Sequence, residues 1–409
     1  MLPGRSDAAG RARAASDPGV RASAAILVDA ASGQVLWARN PDTPRPPAST
    51  TKIMTAILLL EHTQPDELIT ASPRAAATEG SSLNLKPGEQ ITARDLLYAL
   101  MLRSANDACV ALAEHVAGSE AEFARMMTDK AREIGATSTV FQNANGLNEP
   151  PNVTTARDLA TMARYAIRFP EFNAATRSKY AAIHRSSGSR DVVLKNHARL
   201  LWKFAGADGI KTGYTNPAGR CFVGSATWNG WRLISVVLNS PDVVGETSRL
   251  LKHGFTRFAP HRAGERGKVY GTAPVADGVR PSVEAAAERP IPFVAPRGIR
   301  PEVALRPRLD PVKAPLPVGA PVGALEAWVN GRKVGEAPLV ATAAVERAPG
   351  ASASSAGRTF ALAALMGSVV IGYGTAFAKG ARRRRNRIAE ILRRAHRRGQ
   401  GGGQWPPGH

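Results

Sequence analysis

Cysteine is nearly absent from this chain of 409 residues. The two present, Cys109 and Cys221, are too few for a disulfide framework. They also lie far apart and outside any CxxC or zinc-knuckle spacing, so thiolate metal sites are excluded, and both read as small core residues. The eight His form no HExxH or other paired-ligand pattern, so neither a catalytic metal nor a cofactor is expected. Acidic residues are scarce: 33 against 54 Lys and Arg leaves a net charge of +21, which calls for an anionic partner such as nucleic acid, anionic lipid or an acidic polymer. The opening stretch MLPGRSDAAGRARAASDPGVRAS contains no apolar h-region and cannot act as a secretory signal, so a leader is expected upstream of it. Hydrophobic residues are not lacking: at 44% they suffice for a core and for more than one domain.

One long run lacks charge altogether, TFALAALMGSVVIGYGTAFA over 359–378. As a helix at about 1.5 Å per residue it matches a hydrocarbon core of about 30 Å, so it reads as a membrane span. Between 379 and 398 there follow ten Lys and Arg against Glu390 alone, 10 − 1 = +9 of the total excess. Positive flanks stay inside, which places a basic cytoplasmic tail at 380–409 against anionic headgroups of the cytoplasmic membrane and the rest of the chain outside it. Since a membrane span leads straight into this tail, no nucleic acid is expected as partner.

Upstream, AAILVDAASGQVLWAR reads as a β-hairpin around Ser32 and Gly33. Helices then dominate: Thr92 with Asp95, Ser119 with Glu122 and Thr155 with Asp158 each form a capping box before apolar residues three and four apart. Strand character returns over 219–239, with Asn229-Gly230 as a two-residue turn. The fold class is therefore α/β of the α+β kind: an antiparallel sheet flanked by helices that separate its first hairpin from its later strands. The expected division is a disordered stub at 1–22, a catalytic domain at 23–262, a small all-β domain at 263–346, a linker at 347–358, a transmembrane helix at 359–379 and the tail at 380–409.

Ser49-Thr50-Thr51-Lys52 follows two prolines and opens the apolar run IMTAILLLEH, so Ser49 is expected at the first turn of a buried helix. Residues three apart share a face, which brings the Lys52 amine to the Ser49 hydroxyl. Unpartnered N–H groups at a helix start would stabilise an oxyanion forming there, and a desolvated lysine loses its proton readily enough to act as base. Read alone, SxxK equally fits an N-capping serine beside a snorkelling lysine. Two further patterns accompany it. Lys211-Thr212-Gly213 precedes the later strands, where an edge strand with a cation, a hydroxyl and no Cβ suits an extended anionic ligand. SxN occurs as Ser82-Leu83-Asn84 and Ser104-Ala105-Asn106; the second is the better candidate, at the end of the helix expected over 93–103. Trp37, Trp202, Trp228 and Trp231 read as packing.

SxxK, SxN and KTG in this order form the set of penicillin-binding proteins and class A β-lactamases. PPASTTKIMT, LLYALMLRSANDACVALAEH, NANGLN and DGIKTGYTNPAGRCFVGSA resemble the D-alanyl-D-alanine carboxypeptidases of the low-molecular-mass penicillin-binding proteins, serine peptidase family S11. The resemblance covers about 23–258, and APLPVGAPVGALEAWVNGRKVGEAPLVA is similar to the β-rich second domain of that family. It implies a β-lactamase/transpeptidase-like fold and removal of the terminal D-alanine from peptidoglycan stem peptides ending in D-Ala-D-Ala, with β-lactam antibiotics as inhibitors. By that resemblance Ser49 is the nucleophile, Lys52 its general base and Ser104 a proton relay. Asn106, Lys211, Thr212, Gly213, Tyr214 and Thr215 bind substrate, and the N–H groups of Ser49 and Tyr214 form the oxyanion hole. A serine β-lactamase on the same fold needs a carboxylate-bearing loop, and no ExxLN stretch lies between Asn106 and Lys211. A silent cell-wall-binding scaffold is the remaining alternative.

Overall fold

The first strand, Ala24–Asp29, is buried along its whole length, which an alternating sequence would not permit and AAILVD does. Its even-numbered side chains Ala24, Ile26 and Val28 face a core shared with the helices of the chain's middle. Ala25 and Leu27 face the other way, into a second core with Leu250 and Leu251 of the helix Val243–Arg257. The sheet thus has helices on both faces. Among the described residues it has five antiparallel strands, in the order Val35–Arg39, Ala24–Asp29, Trp231–Leu238, Gly219–Trp228, Ala207–Thr215. The structure, a computed structural model, describes residues 17–147, 150–186 and 191–349. The expected membrane span at 359–379, the tail at 380–409, most of the linker and residues 1–16 lie outside them. Among the described residues no helix is long and apolar enough to cross a membrane.

Local chemistry explains the elements that frame the sheet. Asp29 Oδ2 accepts from Ser32 N at 2.7 Å and from Ser32 Oγ at 2.6 Å, closing the first hairpin. Asn229 and Gly230 take φ of 49° and 76°, as a turn matched to strand twist requires. The three N-caps form: Thr92 Oγ1 accepts from Asp95 N, Ser119 Oγ from Glu122 N and Thr155 Oγ1 from Asp158 N, at 3.1, 3.2 and 3.0 Å. The helix expected over 93–103 is α over Ala93–Tyr98 and π over Ala99–Arg103, ending in Ser104 at φ 63°. Such π turns and left-handed non-glycine residues concentrate at functional sites.

Beyond the sheet, Phe258–Ala263 pairs with Ile291–Pro296, and the Gln34 amide joins this ribbon to the first hairpin, exchanging bonds with Val294 O and Val294 N at 3.0 Å each. Another six strands form the largest of the sheets among the described residues, ordered Val303–Leu309, Pro321–Val329, Arg332–Ala341, Ser282–Ala287, Val269–Ala276, Val312–Lys313, over a core containing Phe293, Leu325 and Leu339. One expectation needs correction. The stub was to be disordered through residue 22, yet Val20 and Ala22 are buried and the N–H groups of Arg21 and Ala22 donate to the buried Glu246 carboxylate at 2.7 and 3.0 Å. A buried carboxylate needs donors, and this segment supplies them.

Candidate active site

Ser49 sits in a single 3₁₀ turn, Ala48–Thr51, that runs into the helix Lys52–His62. Ala48, in the left-handed region at φ 46°, swings the chain into that turn. Gly146 lies directly beneath, where a Cβ would strike the Ala48 carbonyl. The Ser49 hydroxyl does not cap the helix; it receives a hydrogen bond from Lys52 Nζ at 3.0 Å. The same amine donates to Asn106 Oδ1 and to the Asn145 carbonyl, both at 2.7 Å. Lys52 is fully buried, and burial pushes its pKa below the usual lysine range, partly offset by the Cys109 thiol and the Asp107 carboxylate. The two shorter bonds occupy two N–H groups, so the third direction, toward Ser49, is where a neutral amine presents its lone pair.

Asn106 opens the helix Asn106–Ala117 two residues after Ser104. Its Nδ2 donates to Glu79 O and its backbone N–H to Ser81 O, each at 2.7 Å. The neighbouring Asp107, also fully buried, accepts from Ser82 Oγ at 2.6 Å and from the N–H groups of Leu83 and Leu85. The first SxN motif therefore serves the second: Ser82 holds the loop over which Asn106 is anchored. That loop is clamped again by Arg185, which reaches Glu89 through Nε and Nη2 at 2.5 and 2.7 Å and the carbonyls of Leu83 and Asn84 at 2.9 Å each. Ser104 is buried and makes none of these bonds.

The edge strand Ala207–Thr215 closes the cleft from the other side. At Gly213 an added Cβ would lie 3.0 Å from Ser49 N, 3.1 Å from Thr50 N and 3.1 Å from Ala48 Cβ. Only glycine lets the strand backbone rest on the amide end of the nucleophile turn. Lys211, fully buried, donates to Thr212 O at 2.9 Å. Its pKa is pushed well below the lysine range, first by burial and then by the charge of Lys52. With Lys52 and Lys211 both buried and each disfavouring charge on the other, an anion bound beside Lys211 would favour its charged form. Tyr214 is 63% exposed with its hydroxyl on Asn216 Oδ1 at 2.9 Å, and Thr215 Oγ1 accepts from Ala218 N at 3.2 Å.

Cys109 lies nearby but is inert: it is fully buried, its Sγ donates to Ala105 O at 3.2 Å, and burial pushes its thiol up to about 12. The sequence reading missed the Asn145 carbonyl, Asp107 and the Arg185–Glu89 clamp. The density of Asn and Gly in NANGLN and the first SxN were the available signals.

The arrangement has counterparts. The profile of the D-alanyl-D-alanine carboxypeptidase family matches residues 11–242, and that of the penicillin-binding protein 5 C-terminal domain matches 258–347. D-alanyl-D-alanine carboxypeptidase DacC of Escherichia coli is 35% identical over 347 residues, 80% of this chain and 85% of that protein. DacF of Bacillus subtilis is 30% identical over 340 residues, 80% of this chain and 86% of that protein. The crystal structure of penicillin binding protein 5 from Haemophilus influenzae superposes with a TM-score of 0.67 at 31% identity, covering 80% of this chain and 98% of that one.

Proposed function

Because the chain belongs to the D-alanyl-D-alanine carboxypeptidase family of serine peptidases, we propose that its cleft removes the terminal D-alanine of peptidoglycan stem peptides through an acyl-enzyme on Ser49. One observation carries the mechanism: a buried amine 3.0 Å from the Ser49 hydroxyl, oriented by Asn106 and Asn145. The stem peptide lies along Lys211–Thr215, its terminal carboxylate facing Lys211 and Thr212. That anion favours the charged form of Lys211, and the repulsion between the two amines then favours a neutral Lys52. Lys52 takes the Ser49 proton while Oγ bonds to the carbonyl carbon between the two D-alanines. The oxyanion points at the N–H groups of Ser49 and Tyr214; removing one such donor costs about 10²–10³ in rate in comparable sites. As the C–N bond breaks, Ser104 relays a proton to the departing D-alanine amine. Water then cleaves the ester and restores Ser49. A β-lactam inhibits because its strained amide acylates the same oxygen.

The uncharged run 359–378 and the basic residues that follow support a single-pass C-terminal anchor, with the cleft on the outer side of the cytoplasmic membrane. Incubating the protein with fluorescent penicillin, and then with a peptide ending in D-Ala-D-Ala, tests the chemistry. Stable labelling and D-alanine release, both abolished by Ser49→Ala, are expected. Rapid turnover of penicillin would indicate a β-lactamase, and neither activity a scaffold.

A further inference from the structure

Outside the cleft, one surface gathers positive charge without answering it. The segment 177–203 contains seven Lys and Arg and a single acidic residue, Asp191. Arg185 is committed to Glu89, and Asp191 lies 3.3 Å from His184. Among the described residues no carboxylate pairs with Lys179, Lys195 or Lys203. Two of these amines instead converge on one ring: Lys179 Nζ is 5.8 Å and Lys195 Nζ 5.9 Å from the centroid of Trp202. Tyr180 meets the same ring edge-on at 6.2 Å. Tyr180 and Lys195 face each other across the ribbon Tyr180–Ile183/Val192–Lys195, with Val193 on the same outward face. Tyr180, Val193 and Trp202 remain 46%, 52% and 39% exposed. The tryptophan read from sequence as packing is thus a surface residue, holding cations by its ring face.

This surface runs into the cleft. Asn196 is tied to Thr176 O and Ser178 O, and His197 N donates to Leu102 O at 3.2 Å, two residues before Ser104. The His197 imidazole is pushed below its ordinary value by partial burial and then by the charges of Lys211 and Arg103. The surface bearing Lys179 and Lys195 is therefore fastened to the segment that carries Ser104.

We propose that this face is a second binding surface, for polymeric peptidoglycan: the strand flanking the reacting stem lays its carboxylates on Lys179 and Lys195 and its apolar faces against Tyr180 and Trp202. The inference rests on the carboxypeptidase reading of the cleft. An anionic glycan–peptide polymer fits better than a lipid surface, because the His197 N–H bond to Leu102 O fastens this face to the segment that carries Ser104, and the polymer is what the proposed cleft reads.

The test compares the full-length protein with Lys179→Glu/Lys195→Glu, first by co-sedimentation with isolated sacculi, then by D-alanine release from sacculi and from a short soluble peptide. The double variant is expected to lose about tenfold in sedimentation and in release from sacculi. Release from the short peptide and penicillin labelling should stay within about twofold, and added salt should erase the wild-type advantage. Equal losses on both substrates, no loss on sacculi, or charge-dependent binding to anionic vesicles but not to sacculi would overturn the proposal. Sedimentation decides the surface even if the wild type releases no D-alanine, an outcome that would sink the reading of the cleft instead.

Discussion

At the scale of single residues, Lys52 carries the sharpest expectations. Lys52→Ala should slow acylation by penicillin by about 10²–10⁴, the range for losing a general base, with the protein still folded by circular dichroism. Its depressed pKa gives a sign to pH dependence. Only the neutral amine accepts the serine proton, so the acylation rate should rise with pH through the lowered pKa and then level. Folding follows the same direction. Between the lowered values of Lys52 and Lys211 and the ordinary value of 10.5, the unfolded chain binds more protons, so stability rises with pH across that window. Gly213→Ala should cut acylation strongly, as penicillin-labelling kinetics would show, because its Cβ would press on the Ser49 and Thr50 amides and on the buried Ala48. The Ser49–Lys52 pair was legible in sequence because a helical turn fixes which neighbours meet. The Asn145 carbonyl was not, since a backbone acceptor from a distant loop has no side-chain signature.

At the scale of elements, the loop 79–90 decides whether Asn106 is held in place. Glu89 has no exposed side-chain surface and Arg185 little, so deleting one partner strands a buried charge, a change that costs about 3–5 kcal/mol. Glu89→Ala should therefore lower the melting temperature and, by freeing the carbonyls of Glu79 and Ser81, slow acylation; thermal denaturation and labelling kinetics measure the two effects. Capping boxes made the helix starts legible, because Thr92, Ser119 and Thr155 act on N–H groups three residues away. The switch to a π turn at Ala99–Arg103 was illegible: LLYALMLRS carries no Gly or Pro to mark it, and the turn ends in the left-handed Ser104.

At the scale of the whole molecule, the expected boundary at 262 falls inside the strand Phe258–Ala263, whose partner Ile291–Pro296 lies beyond it. Cutting the chain after residue 262 should expose that edge, lower the melting temperature and promote aggregation. Ending it after Glu346 should leave penicillin labelling intact and move the protein from the membrane fraction to the soluble one, which cell fractionation would follow. The two-sided sheet was only half legible, since AAILVD names a buried strand but not the helices that bury it. Pairing of the first strand, Ala24–Asp29, with Trp231–Leu238 has a temporal consequence. A nascent chain leaves the inner edge of its opening hairpin without a partner until residues through Leu238 have been made, so in a pulse-chase experiment penicillin would begin to mark molecules only after that late segment emerges. The antibiotic is then a clock for completion of the fold.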